Sequence, residues 1–506
     1  MVKDQYSVYH FPLDDAWIHQ VYARSLAMGQ GMAYNPGQQE AGSTSPLWAV
    51  VTAPAHWLGP DLAVLGVKLV GVLLGLVSIL YLQKVASRLL RRGDSKDAAT
   101  PQVPANALLA TSLFALEPRF LFSTLSGMET ILLVALVTAA VHMALEKRPW
   151  MLLLLLGLMP TTRPEAVIFL PCAAVAWWLL FIEDGRLKNL RPGRILGALG
   201  LPVLPGILWA GFCLYATGHP LPNSFYIKAH PFTLGSPQMQ AAFDALTLHG
   251  LLPFWAFAVG ILGFLGLSVQ RPKSSVPKFL AAPWLLFVAL PAVYLVAVMG
   301  SRMVYLGGYY WSRWLDPATI PLTAASCVGL GFLLDFASKQ TDRRAMKISI
   351  ALVVLVAIVG SLPYFLNSFL DRRGHLSSDS RAIAIVNVQM GKWVAENTPE
   401  DAVIGVNDAG ALRYFGDRYT LDLLGLNQAP IAFKEVSTQD GIDRSDWLVI
   451  FPEWFYRRQL LTYIRSEFEP RMEVRIPVEE YTLFNSPAQT VKVAYEKRSA
   501  DSQGTE

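Results

Sequence analysis

Residues 62–82, LAVLGVKLVGVLLGLVSILYL, decide the fold class of this chain. A helix needs about 20 predominantly apolar residues to cross a bilayer, where lipid offers no partner to an exposed backbone group. The run has that length. It is followed by Lys84, Arg88, Arg91, Arg92 and Lys96, the basic signature of a cytoplasmic loop. Outward from it, further runs of spanning length fall near 105–123, 128–145, 164–182, 195–217, 250–270, 279–300, 313–335 and 348–370. A shorter run at 150–160 reads as the first arm of a hairpin with 164–182. Composition agrees: the 506 residues are 53% hydrophobic and 16% charged, where soluble domains carry about 25% charged residues. The expected fold is an α-helical polytopic membrane protein.

The net charge of +4 says less than its placement. Lys147 and Arg148 precede the hairpin, and Arg186, Lys188, Arg191 and Arg194 follow it. Arg271, Lys273 and Lys278 separate two middle spans, and Lys339, Arg343, Arg344 and Lys347 precede the last. All fall on one side if the hairpin returns to the side it left, and that side is cytoplasmic. The Asp14–Asp15 region, the turn Ser126–Glu129, the loops 218–249 and 301–312 and the tail from Asp371 are then extracytoplasmic.

The chain accordingly divides into a first outer loop with interfacial helices (1–61), a bundle (62–370), an outer α/β domain (371–495) and a disordered tail (496–506). In the α/β domain, strands are expected at Ala402–Val406, Tyr419–Leu423, Trp447–Phe451, 472–478, 481–485 and 490–495. Helices are expected at 380–397, Ala409–Phe415 and 453–466. Cys172, Cys213 and Cys327 sit in apolar runs, which argues against a disulfide framework and offers no zinc spacing. Phosphate-loop, dinucleotide, zinc-protease and serine-elbow motifs are missing, and the basic residues form no nucleic-acid patch.

The candidate chemistry gathers on the outer side. Asp14 and Asp15 stand at the start of a helical pattern, Ala16 to Leu26, which reads either as a helix cap or as an acid–base pair. Ionisable groups near membrane depth are costly, so each is a functional candidate. Arg163 and Glu165 flank Pro164 at the hairpin tip, where Arg163 either binds a ligand or bonds Glu165 and local carbonyls. Arg302 and Arg313 bracket aromatic residues Tyr305 to Trp314 that suit an interfacial belt. Asn223, Tyr226, Lys228 and His230 lie in the 218–249 loop, where a lysine beside a tyrosine suits an anionic phosphate. Glu129 at a helix start favours the helix dipole. Glu117 and Arg119 are expected to pair with each other, and Asp408 to cap its own helix.

Taken in order, these residues resemble the bacterial glycosyltransferase C-superfamily of polyprenyl-phosphate-sugar-dependent enzymes, particularly the mycobacterial-type arabinofuranosyltransferase branch. The matching pieces are Asp14-Asp15-Ala16 with Tyr22-Ala23-Arg24, Tyr34-Asn35-Pro36-Gly37, Thr44-Ser45-Pro46-Leu47-Trp48 and Ser126-Gly127-Met128-Glu129-Thr130. Thr162-Arg163-Pro164-Glu165, Pro222 to Lys228, Arg313-Trp314 with Pro317, Asn407 to Ala411 and Asp422 to Leu426 complete the set.

The resemblance implies inverting transfer of a sugar, arabinofuranose or mannose, from a polyprenyl-phosphate donor to an extracytoplasmic glycan, lipid or protein acceptor. The first-loop aspartate would be the general base, a role falling on Asp14 or Asp15; Asp14 is the expected base, with Asp15 orienting the acceptor or a cation. Arg24, Arg163, Lys228, Arg313 and Tyr226 would hold the donor phosphate. Glu129, Asn223 and Glu165 would meet the acceptor or brace the site. A divalent cation is compatible with the family, although no ligand set is legible here.

The competing reading is a transporter, flippase or binding subunit for a lipid-linked envelope precursor. Its charges should be spread through the membrane depth, whereas these gather near one face. Relatives usually carry a membrane helix ahead of the paired aspartates, so a further helix encoded upstream of Met1 is expected, the alternative being a truncated, inactive paralogue.

Overall fold

A computed structural model of the protein describes residues 2–90, 103–183, 191–228, 254–269, 281–300, 313–339, 343–456, 459–477 and 490–499. Outside them lie Arg91, Arg92, Lys96, Arg186, Lys188, Arg271, Lys273, Lys278, His230, Arg302 and the aromatic residues 305–311. The expected strand at 481–485 and most of the tail lie outside them too.

Among the described residues, four helical runs are long and apolar enough to cross a membrane: Leu62–Leu90, Pro164–Phe181, Arg313–Lys339 and Arg344–Asn397. Two bent pairs, Ala105–Ala115 with Pro118–Leu125 and Pro192–Gly200 with Leu204–Thr217, break by 58° and 62° and raise the number to six if each is one span. The first break has a local cause. Pro118 has no N–H to continue the helix, and Glu117 starts the next one by accepting the Phe120 N–H at 2.6 Å.

What the helices leave uncovered shows their solvent. Helix Pro60–Leu90 exposes Leu69, Leu73, Leu76 and Leu80, and helix Arg344–Ile383 exposes Leu352, Leu355, Val359 and Leu366. Apolar faces of that width suit lipid rather than water. Helix Thr130–Leu145 is instead buried almost all round, as the centre of a bundle must be. Two helices cross through glycine: a Cβ placed on Gly329 would lie 1.8 Å from the Gly260 carbonyl oxygen. Small residues let lipid-embedded backbones approach this closely.

The N-terminal segment is folded into the molecule. Helix α1 (Val2–Tyr9) leads to α2 (Asp14–Ala27), a short hairpin of β1 (Ala33–Asn35) and β2 (Gln38–Gln39), and helical turns at Pro46–Thr52 and Ala53–Leu58. It is tied to the bundle by Trp48 Nε1, which donates to the Gly127 carbonyl at 3.0 Å, and by Lys68 Nζ, which donates to the His10 carbonyl at 2.8 Å.

The C-terminal domain holds β3 (Val403–Val406), β4 (Tyr419–Asp422), β5 (Trp447–Ile450), β6 (Phe468–Arg475) and β7 (Val491–Lys497), in the order β4-β3-β5-β7-β6. Its β4-β3-β5 half is parallel, and its β5-β7-β6 half is antiparallel. The buried strand β5 is a continuous Trp-Leu-Val-Ile run, as a strand covered on both faces should be.

Two differences from the sequence reading have physical causes. The last span does not end at 370: helix Arg344–Ile383 runs for 40 residues and continues through Ala384–Val388 into Gln389–Asn397. Its polar stretch is supported by the Asp371–His375 pair one turn apart, at 3.3 Å. The helix expected at 453–466 is two helices, Pro452–Tyr456 and Leu461–Glu467, and Gln459 between them has φ 59°.

Gly329→Val should cost at least the roughly 1–3 kcal/mol typical of overpacking, since the opposing atom is backbone. Gly211→Val, where an added Cβ meets nothing within 4 Å, should leave stability unchanged. Thermal unfolding in detergent would compare the two.

Candidate functional site

Neighbouring residues on a helix point about 100° apart, so the two aspartates at the start of α2 face different surroundings. Asp14 turns to the C-terminal domain. Its Oδ2 accepts the Gly410 N–H at 2.8 Å, and its Oδ1 accepts the Ala411 N–H and the Asn387 side-chain amide, each at 2.9 Å. It therefore caps helix Ala411–Gly416 from another part of the chain. Asp408, the expected cap, is held instead by Lys492 and Asn387, both at 3.1 Å. Burial, and then the charge of Asp408, push the Asp14 carboxyl up to about 7, against the pull of Lys492 and the two backbone N–H groups.

Asp15 faces a cavity of about 370 Å³. Ile18 and His19 follow it on the same side of α2, and Gly42 and Thr44 come from the loop beyond. The opposite walls are Met128 and Glu129, Arg163 to Glu165, helix Asn223–Lys228 through Ser224, Phe225 and Lys228, and Arg313 with Trp314. Leu426 of the C-terminal domain closes one edge. The loop carrying Leu426 is ordered by Asp422, which accepts the N–H groups of Leu424, Gly425 and Asn427.

The charges in this cavity are specific. Asp15 receives Arg313 Nη2. Burial works against the Asp15 charge, but Lys228, Arg313 and His19 together hold the carboxyl below the ordinary range. Glu129 accepts Arg163 Nη1 at 2.7 Å and faces His19 Nε2 at 3.3 Å. The other ring nitrogen of His19 lies 3.5 Å from Ser43 Oγ. Arg163, Arg313 and Lys228 all approach the Trp314 ring, at 5.7, 4.6 and 5.6 Å from its centroid. Lys228 makes no ion pair among the described residues, and its charge acts on Asp15 across the cavity.

Of the residues singled out from sequence, Asp15, Arg163, Lys228, Arg313, Glu129 and Glu165 are brought together, with Glu165 Oε2 3.7 Å from Arg163 Nε. Four are placed elsewhere. Asp14 is turned away by helical geometry. Arg24 donates to the Tyr414 carbonyl at 2.6 Å and lies over the Tyr414 ring, in the seam with the C-terminal domain. Tyr226 packs on Phe433 at 5.1 Å, and Asn223 donates to Glu40 Oε1 at 2.9 Å. Helix Asn223–Lys228 has its cavity side at positions 224, 225 and 228, which leaves 223 and 226 on the other.

Two buried pairings also differ from expectation: Arg119 binds Asp316 at 2.8 Å, while Glu117 caps the Phe120 turn. In the sequence His19 carries no motif, and Trp314 reads as part of an interfacial belt. For His19 the i, i+4 spacing from Asp15 was an available signal; for Asn387 and Lys492 there was none. Among the described residues, no three His, Cys, Asp or Glu side chains are grouped to hold a metal. The cavity carboxylates Asp15 and Glu129 are turned to arginines instead.

A family profile described as "Domain of unknown function (DUF8728)" matches residues 375–496. No curated protein sequence matches the chain. The fold is similar to that of ArnT from Cupriavidus metallidurans bound to undecaprenyl phosphate: TM-score 0.59, 13% identity, 99% of this chain and 96% of that one covered. The apo form of that protein gives a TM-score of 0.54 at 13% identity, over 98% of this chain and 95% of the other. The Archaeoglobus fulgidus oligosaccharyltransferase tethered with an acceptor peptide gives 0.52 at 12% identity, over 99% of this chain and 74% of that one. The fold is a glycosyltransferase C-like helical bundle with a small C-terminal sheet domain.

Glu129→Gln should destabilise the protein by up to about 3–5 kcal/mol, because it leaves the buried Arg163 with only the longer ion pair to the more exposed Glu165, at 3.7 Å. A fall in the thermal midpoint larger than that of Glu165→Gln, whose side chain is 31% exposed, is the expected result.

Proposed function

We propose that this chain is a membrane glycosyltransferase that moves a sugar from a polyprenyl-phosphate donor to an extracytoplasmic acceptor, with inversion and with Asp15 as general base. The single observation that carries this reading is one cavity holding a carboxylate kept ionised, Asp15, beside a cation, Lys228, that makes no ion pair among the described residues. The volume suits a sugar with its phosphate, since ligand pockets run from about 300 Å³ upward. The fold likeness adds support, because ArnT was solved with undecaprenyl phosphate and the archaeal oligosaccharyltransferase AglB with a dolichol-phosphate. The basic loops of the sequence support an extracytoplasmic active side. The resemblance to the arabinofuranosyltransferase branch makes arabinofuranose and mannose the candidate sugars, passed to a glycan, lipid or protein.

The reaction is a single displacement. The acceptor hydroxyl donates to Asp15, and its oxygen attacks the anomeric carbon as its proton passes to the carboxylate. The bond from that carbon to the phosphate oxygen breaks, and its electron pair leaves with the polyprenyl phosphate. Attack opposite to the leaving group inverts the anomeric configuration.

Lys228, with Arg163 and Arg313 behind it, stabilises the charge that develops on the phosphate. Each hydrogen bond to a charged group is worth about 1.5–3 kcal/mol. Arg313 also keeps Asp15 ionised. Leu426 on the cavity edge makes the C-terminal domain part of the acceptor side, consistent with a role in acceptor choice.

The test is incubation of the purified protein with a panel of polyprenyl-phosphate sugars, with mass spectrometry of released polyprenyl phosphate. Asp15→Asn should lower turnover by about 10²–10⁴ with donor affinity kept, and Lys228→Gln should weaken donor binding about tenfold or more. Release from no donor, or full activity of Asp15→Asn, overturns the reading. A pH profile adds a second check. With Asp15 held low, the acid limb that belongs to Asp15 itself should lie below about pH 4. Arg313→Gln should move the acid limb upward, because burial of the carboxyl is then opposed only by Lys228 and His19.

A further inference from the structure

Helix α2 is held from one side by the C-terminal domain. Tyr22 donates its hydroxyl proton to Asn427 Oδ1 at 3.0 Å, and Trp17 packs on the Tyr414 and Phe415 rings at 5.0 and 4.9 Å. A further contact is made at its first residue. Helix Ala411–Gly416 has no cap from its own neighbours, and the Asp14 carboxylate takes the N–H groups of both Gly410 and Ala411. The approach is so close that a Cβ on Gly410 would lie 2.2 Å from the Asp14 carbonyl oxygen and 2.8 Å from its Oδ2. One residue further on, the other side of the same helical turn presents Asp15 to the cavity.

We infer that Asp14 is a positioning residue: by capping the helix at Gly410 and Ala411 it fixes the rotation of α2, and with it the direction in which Asp15 points. This rests on the reading of Asp15 as the base. Adjacent residues of one turn cannot move independently, so a shift that frees Asp14 from the cap turns Asp15 away from Arg313 and the acceptor. Misplacement by about 1 Å can cost roughly 10²-fold in rate. The donor phosphate, held by Lys228 and Arg163 on other elements, should be indifferent to it.

Two variants test this from opposite sides of the contact. Asp14→Ala removes the cap, and Gly410→Ala pushes the cap away with a methyl group that lies outside the cavity. Both should lower kcat by roughly 10²-fold and leave donor Kd within about threefold, a change near RT ln 3. Both should also move the acid limb of the pH profile upward, because a displaced Asp15 loses Arg313. Asp14→Asn, which keeps one acceptor oxygen, should fall between them and the native protein.

Native turnover in Asp14→Ala or Gly410→Ala overturns the inference. So does loss of donor binding or of folded protein in both, since the contact would then only hold the fold together. Asp15→Asn, run beside them, separates the two readings. If it is fully active, the assignment of the base fails. If it is inactive while the Asp14 and Gly410 variants are normal, only the positioning role fails.

Discussion

The structure depends on one helical turn that carries two carboxylates in two directions. Asp14 and Asp15 are adjacent, and the pitch of the helix sends one into the C-terminal domain and the other into the bundle cavity. A carboxylate accepting backbone N–H groups at a helix start is stabilised by hydrogen bonds and by the helix dipole together. That contact is partly buried and far longer in sequence than any local cap, spanning from residue 14 to residue 411. The first loop adds matching bonds along the same seam. Asn35 exchanges two hydrogen bonds with Thr420, each 3.0 Å, and Tyr34 donates to the Ala409 carbonyl at 2.7 Å.

The loops at the carboxyl ends of β3 and β4 make this docking possible. Asn407 to Gly410 follow β3, and Leu423 to Asn427 follow β4. In sheets with parallel strands these ends are where partners bind, because the turns there leave backbone N–H groups pointing outward. Here the partner is the chain's own N-terminal helix. The parallel half of the sheet is thus spent on docking, and the antiparallel half, β7 and β6, lies beyond it.

Below the seam, the bundle solves a different problem. Its buried charges are paired: Arg119 with Asp316, Arg163 with Glu129, Arg313 with Asp15. A buried pair costs desolvation but not a naked charge. Lys228, on a short helix at the edge, lies outside this pairing among the described residues.

How much of this was legible in the sequence follows from the range of each interaction. Apolar runs of bilayer length, the basic loops, and the alternating strands and helices after residue 400 are local signals. They placed the bundle helices and strands β3, β4, β5 and β7 near where they stand. The pair Asp14–Asp15 and the group Arg163, Lys228 and Arg313 stood out because charges beside apolar runs are costly wherever they end up. What sequence could not divide was the labour within that set. Whether Asp14 or Asp15 enters the cavity depends on the rotation of one helix, and contacts with residues almost 400 positions away set that rotation. Arg24 and Tyr226 look like phosphate ligands in sequence, yet they sit in seams because each lies on the far side of its own helix. Asn387 and Lys492 carry no motif at all and acquire meaning only where the chain folds back on Asp14 and Asp408. Periodicity is written in neighbouring residues, whereas the direction of a side chain is decided by whatever the far end of the chain brings against it.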